Sequence, residues 1–123
     1  MTGLNFLVVD DSLLVIKRVT ALLAELGHQV VGTAGTGSQA VTAYEQCRPD
    51  FVTMDITMPD MNGIEATRLI TEKFPEARII MVTSQGQERM VIDALAAGAK
   101  GYVLKPIKPD RLADMIAKLC DVA

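Results

Sequence analysis

Five short apolar runs recur through the chain at intervals of about 25 residues, and a stretch of helical periodicity follows each one. The runs are 5–9 (NFLVV), 29–34 (QVVGTA), 51–55 (FVTMD), 78–82 (RIIMV) and 101–104 (GYVL). Strands joined through helices of this length lie parallel, because an antiparallel pair needs only a tight turn whereas a parallel pair needs a crossover of a dozen residues or more. The chain therefore reads as α/β, a (βα)5 doubly wound five-stranded parallel sheet. Apolar runs that are nearly continuous, rather than alternating, further predict a sheet covered on both faces.

The punctuation between runs agrees with this reading. Ser12 is a predicted N-cap for a helix in which Leu13, Ile16, Val19, Thr20, Leu23 and Leu26 recur at helical spacing, with Gly27 as the stop. Thr36-Gly37-Ser38 opens a second helix to about Cys47, closed off by Pro49. The third turns Ile64, Thr67, Ile70 and Phe74 inward until Pro75 interrupts it, and the fourth stops at Gly98. Pro109 sits where a first helical position tolerates proline and opens the fifth.

At 123 residues, half of them hydrophobic, the chain is expected to form a single domain over 1–123 with no linker or output domain. A formal charge of -3, with the basic residues dispersed among the acidic ones, disfavours direct nucleic-acid binding. No apolar stretch approaches the roughly 18 residues of a membrane span, and the N-terminus lacks a secretory pattern. A cytoplasmic location without membrane insertion is the expectation. Cys47 and Cys120 fall on helices covering opposite faces, which argues against a disulfide or zinc site. His28, the one histidine, reads as a surface residue in the turn after Gly27.

All C-terminal strand ends of such a sheet emerge on one rim, where ligands bind. Asp10 and Asp11, Asp55, Thr83 and Lys105 end four different strands and so converge. Three carboxylates would raise one another's pKa, whereas a bound Mg²⁺ lets them stay ionised and leaves room for phosphate oxygens. Asp55 is then a candidate nucleophile for a phosphoryl group, with Lys105 and Thr83 offsetting charge on its oxygens.

Asp10-Asp11-Ser12, the run DITMPDMNG from Asp55 to Gly63, Thr83-Ser84, Tyr102 and Lys105-Pro106 together resemble the receiver domain of two-component response regulators, specifically the stand-alone chemotaxis type, CheY. The resemblance covers essentially the whole chain and implies the flavodoxin-like receiver fold. It implies that Asp55 accepts a phosphoryl group from a sensor histidine kinase. Asp10 and Asp11, Asp55 and the Thr57 backbone carbonyl would hold Mg²⁺. Thr83 would be the switch hydroxyl, Tyr102 the switch aromatic, and Lys105 the contact to the phosphoryl group. Thr57 and Gln85 would flank the attacking water and tune hydrolysis, and the peptide bond before Pro106 would be cis. The output would be altered protein binding through the face of the fourth helix, fifth strand and fifth helix, where Met90 is a candidate contact; Met54 and Met81 read as core.

Chemotaxis control is the first reading, with a phosphorelay intermediate or a regulator of another pathway beside it. A different class is an aspartyl-phosphate phosphatase of haloacid dehalogenase type. Such enzymes carry a second acid two residues after the nucleophile, and that position here is Thr57.

Overall fold

The computed structural model describes residues 3–120. Five strands, β1 (Asn5–Val9), β2 (Gln29–Ala34), β3 (Phe51–Asp55), β4 (Ile79–Thr83) and β5 (Gly101–Leu104), alternate with α1 (Leu13–Glu25), α2 (Gly37–Cys47), α3 (Gly63–Lys73), α4 (Glu88–Ala97) and α5 (Pro109–Cys120). The strands form one parallel sheet in the order β2-β1-β3-β4-β5. This is the doubly wound order known from flavodoxin and CheY, and it reverses direction between β1 and β3. A crevice forms at such a reversal, outside the carboxyl ends of the two strands.

Alternate side chains along each central strand enter opposite cores. Leu7, Val9, Val52, Met54, Ile79 and Met81 meet Ala40 and Tyr44 of α2, Ala66 and Ile70 of α3, and Ala94 of α4. Phe6, Val8, Phe51, Ile80, Val82 and Val103 meet Ile16, Val19 and Leu23 of α1, and Leu112 and Ile116 of α5. Met54 and Met81 are core residues, and Cys47 and Cys120 belong to helices on opposite faces.

Side-chain caps start three helices, two of them where the sequence marks the start. Ser12 Oγ accepts from Val15 N–H, Thr36 Oγ1 from Gln39 N–H and Asn62 Oδ1 from Glu65 N–H, each satisfying a donor that a helix start leaves free. Gly27 follows α1 in the left-handed region at φ 89°. Arg48 performs the same turn at φ 44° before Pro49, so α2 ends in a left-handed residue one position ahead of the expected stop.

The structure corrects several expectations. Leu13 does not point into the core: it is 73% exposed at the start of α1, whose buried residues are Ile16, Val19 and Leu23. The two edge strands are not covered on both faces. In β5, Tyr102 and Leu104 alternate outward while Gly101 and Val103 are buried, since α4 packs beside α3 and β4 rather than over β5. His28 is half-buried instead of a plain surface residue: its Nδ1 accepts from Leu4 N–H at 3.0 Å, and its ring lies 5.3 Å from that of Phe6.

Candidate functional site

The rim at the carboxyl ends of β1, β3, β4 and β5 gathers the polar residues that the sequence scatters. Asp10 follows β1 directly and is buried, whereas its neighbour Asp11 is exposed. Asp10 Oδ1 accepts from Ser12 N–H at 2.9 Å, which fixes the carboxylate at the mouth of the β1–α1 loop. Asp55 is the last residue of β3 and is 6% exposed. Carboxylate oxygens of Asp10, Asp11 and Asp55 lie within 4.8 Å of one another.

Lys105 enters this group from the end of β5. Its backbone N–H donates to Thr83 O at 2.7 Å, anchoring the start of the β5–α5 loop to the end of β4. The Lys105–Pro106 peptide bond is cis. Lys105 Nζ stands 2.9 Å from Asp10 Oδ2 and 3.3 Å from Asp55 Oδ1. The Asp55 contact is directed as a hydrogen bond, and the buried Asp10 Oδ2 has the Lys105 ammonium as its partner.

The electrostatics follow from crowding. Burial, and then the charge of Asp10, push the Asp55 pKa up to about 6, against the pull of Lys105. Burial opposes the charged form of Lys105, yet its contacts with Asp10 and Asp55 outweigh that and raise its pKa. One ammonium thus partly balances three carboxylates. Two buried acids and one exposed acid, with a single ammonium to balance them, fit a hard divalent cation, which takes oxygen ligands.

Thr83 ends β4 and is buried, one step past Val82, the residue that pairs with Asp55. Thr57 is exposed beyond β3, and Gln85 is exposed beyond β4. Tyr102 lies outside the cluster on β5, 44% exposed. Gln85 and Tyr102 share a surface groove with Lys105, Arg111 and Met115.

Two features of the site escape sequence reasoning. Gly63 packs so closely on the end of β3 that a side chain there would overlap the Asp55 carbonyl oxygen, while its N–H donates to Ile56 O at 2.7 Å. Gln87 bridges two loops, accepting from Ser84 N–H at 2.7 Å and donating to Thr57 Oγ1 at 3.1 Å. Nothing in local periodicity marks Gln87.

Residues 6–117 match the family model described as "Response regulator receiver domain". The chain belongs to the response regulator receiver family. All the rim residues from Asp10 to Lys105 fall within the receiver match. The chain is 41% identical over 117 residues to the chemotaxis protein CheY of Thermotoga maritima, spanning 95% of this chain and 98% of that one. It is 46% identical over 114 residues to the CheY of Bacillus subtilis, spanning 93% and 95%. Among solved receiver structures, the CheX-CheY-BeF3-Mg+2 complex from Borrelia burgdorferi superimposes with a TM-score of 0.91 at 35% identity, covering 97% of this chain and 90% of that one. Receiver domains of this family are regulatory. Among the described residues no helix is long and apolar enough to cross a membrane.

Proposed function

We propose that this receiver domain is a phosphoaspartate switch of a two-component system serving chemotaxis, with Asp55 as the phosphoacceptor. The observation that carries the proposal is the meeting of Asp10, Asp11, Asp55 and Lys105 at a single rim. A carboxylate oxygen of Asp55 attacks phosphorus, the nitrogen–phosphorus bond of a kinase phosphohistidine breaks, and its electron pair stays with the departing imidazole. Lys105 holds its charge beside the incoming oxygens. Asp10, Asp11, Asp55 and the Thr57 backbone carbonyl would hold Mg²⁺, which supplies charge neutralisation on the phosphoryl oxygens when bound. The complex of the Borrelia relative is named with Mg+2 and BeF3, which supports Mg²⁺ as the ion.

The modification brings nearly two negative charges and three acceptor oxygens to the rim. Driving a two-state domain from 1:99 to 99:1 takes about 5.5 kcal/mol of differential stabilisation. A charge-assisted hydrogen bond from Thr83 supplies only about 1.5 to 3 kcal/mol, so Thr83, Lys105 and the cation must act together. In this reading Thr83 moves toward the phosphoryl group, and the space it leaves admits the ring of Tyr102. The face of α4, β5 and α5, which exposes Met90, Ile92, Leu95, Tyr102 and Leu104, then changes shape for a protein partner. The chain acts in the cytoplasm as one domain, and the only reactions it promotes are its own phosphorylation and dephosphorylation.

Incubation with Mg²⁺ and acetyl phosphate tests the central claim. Intact mass should rise by one phosphoryl group, and Asp55→Asn or chelation should abolish the gain. Equal labelling of the Asp55→Asn variant would move the acceptor elsewhere. Multiple turnover of a small phosphomonoester would instead favour the phosphatase class.

A further inference from the structure

Gln87 joins the two loops that flank Asp55, one running from β3 to α3 and the other from β4 to α4. Its Oε1 accepts from Ser84 N–H at 2.7 Å, and its Nε2 donates to Thr57 Oγ1 at 3.1 Å. The orientation of the carboxamide is settled by this network, since a backbone N–H can only donate and must face the carbonyl end. The amino end is thereby turned to Thr57.

Gln87 occupies the N-cap position of α4, yet its side chain makes no capping bond. Glutamine is a poor cap in any case, because the short side chains of Ser, Thr, Asp and Asn reach the free N–H groups of the first turn better. The side chain is committed to a bridge between loops instead of to the helix that it opens. Gln85, two residues earlier, lines the groove it shares with Tyr102, Lys105, Arg111 and Met115.

Building on the reading of Asp55 as phosphoacceptor, we infer that Gln87 is a positioning residue that prolongs the phosphorylated state. Its bridge to Thr57 draws the two loops together at the rim and restricts the approach of water to the acyl phosphate. In the reaction it slows, a water oxygen bonds to phosphorus, the bond from phosphorus to the Asp55 oxygen breaks, the carboxylate leaves with the electron pair, and the water protons remain with inorganic phosphate. Thr57 is the anchor of the bridge. Of the two glutamines in the β4–α4 loop, the one that reaches that anchor is Gln87.

The test follows decay of the full chain after labelling with acetyl phosphate and Mg²⁺ and removal of the donor, read by intact mass. Gln87→Met keeps the length of the side chain without either hydrogen bond, and Gln87→Ala removes the bulk as well. Both should shorten the lifetime, by about two- to tenfold, the span of one ordinary hydrogen bond, here the bond to Thr57 that holds the loops together. In a Thr57→Val background the Gln87→Met effect should shrink, because only the bond from Ser84 N–H is then left to lose, and the rate of labelling should be unchanged by Gln87→Met, a split between decay and labelling that a general loosening of the site would not produce.

A Gln87→Met lifetime equal to the wild type, or an effect that persists undiminished with Thr57→Val, would overturn the inference while leaving Asp55 as the acceptor. Failure of the wild-type chain to label, or equal labelling of Asp55→Asn, would instead overturn the reading of Asp55, and this inference with it.

Discussion

Lys105 Nζ lies closer to Asp10 Oδ2, at 2.9 Å, than to Asp55 Oδ1, at 3.3 Å. The ammonium therefore bridges the two buried acids of the cluster as an internal counter-ion. A divalent cation and Lys105 do the same electrostatic job there, and each should make the other less necessary.

Lys105→Met consequently should destabilise the metal-free protein by about 2 kcal/mol, less than the roughly 3–5 kcal/mol of a broken, fully buried pair because this side chain keeps some solvent contact. Millimolar Mg²⁺ should recover most of that loss. Urea unfolding with and without Mg²⁺ measures both quantities. An equal deficit in the presence of the ion would show that Lys105 does not balance the carboxylates.

Asp55 titrates in the opposite sense to an ordinary salt-bridged acid. Its pKa is raised from 3.8 to about 6 by burial and by Asp10, so between those values the folded chain holds a proton that the unfolded chain has released. Stability from this group is fully present below pH 3.8 and is lost as pH rises through about 6. Asp55→Asn should therefore raise the thermal midpoint of the metal-free protein at pH 7 and flatten its decline between pH 4 and 6. Mg²⁺ affinity should climb over the upper part of the same window, since the ion requires the ionised form. Calorimetry across that range decides the matter, and an affinity unchanged from pH 5 to 7 would contradict the assignment of Asp55 as a ligand.

Tyr102 offers a direct optical readout of the switch. It is 44% exposed, whereas Tyr44, the other tyrosine, is 4% exposed and packs against Phe74. The chain has no tryptophan, so quenching of its emission by iodide reports on Tyr102 almost alone. Addition of beryllofluoride and Mg²⁺ should cut the quenching constant at least by about half as the ring turns inward, given that quenching scales with exposure of the amphipathic ring. An unchanged constant with the mimic bound would detach Tyr102 from the switch.

Much of this was legible in the sequence because it is written in local contrasts. Asp10, Asp55, Thr83 and Lys105 stand out as polar residues ending apolar runs, and the parallel topology alone brings such positions to one rim. The start of β4 was less legible: Arg78 looks like its first residue, but the strand begins at Ile79. Arg78 still accepts a ladder bond from Val52 N–H, while its guanidinium lies over the Phe51 ring at 4.5 Å. Long-range side-chain contacts were not legible at all. His28 meets Leu4 across 24 positions and Gln87 meets Thr57 across 30, distances over which periodicity carries no signal.

Gly63 is the residue where fold and site constrain one another most tightly. It opens α3 directly behind the acceptor, and a Cβ there would overlap the Asp55 carbonyl oxygen and press on Met54. Backbone cannot yield as the tip of a flexible side chain can, so Gly63→Ala has to displace either the start of α3 or the end of β3. The cost should be about 1 to 3 kcal/mol of stability, the usual range for overpacking. The rate of labelling by acetyl phosphate should fall along with it, because the Asp55 carboxylate shifts away from Lys105. Gly35→Ala is the control: a Cβ at Gly35 meets nothing closer than 3.7 Å, and that change should be tolerated in both assays. If Gly63→Ala matched Gly35→Ala in denaturation and in labelling rate, the close approach of α3 would not be what fixes Asp55 in place.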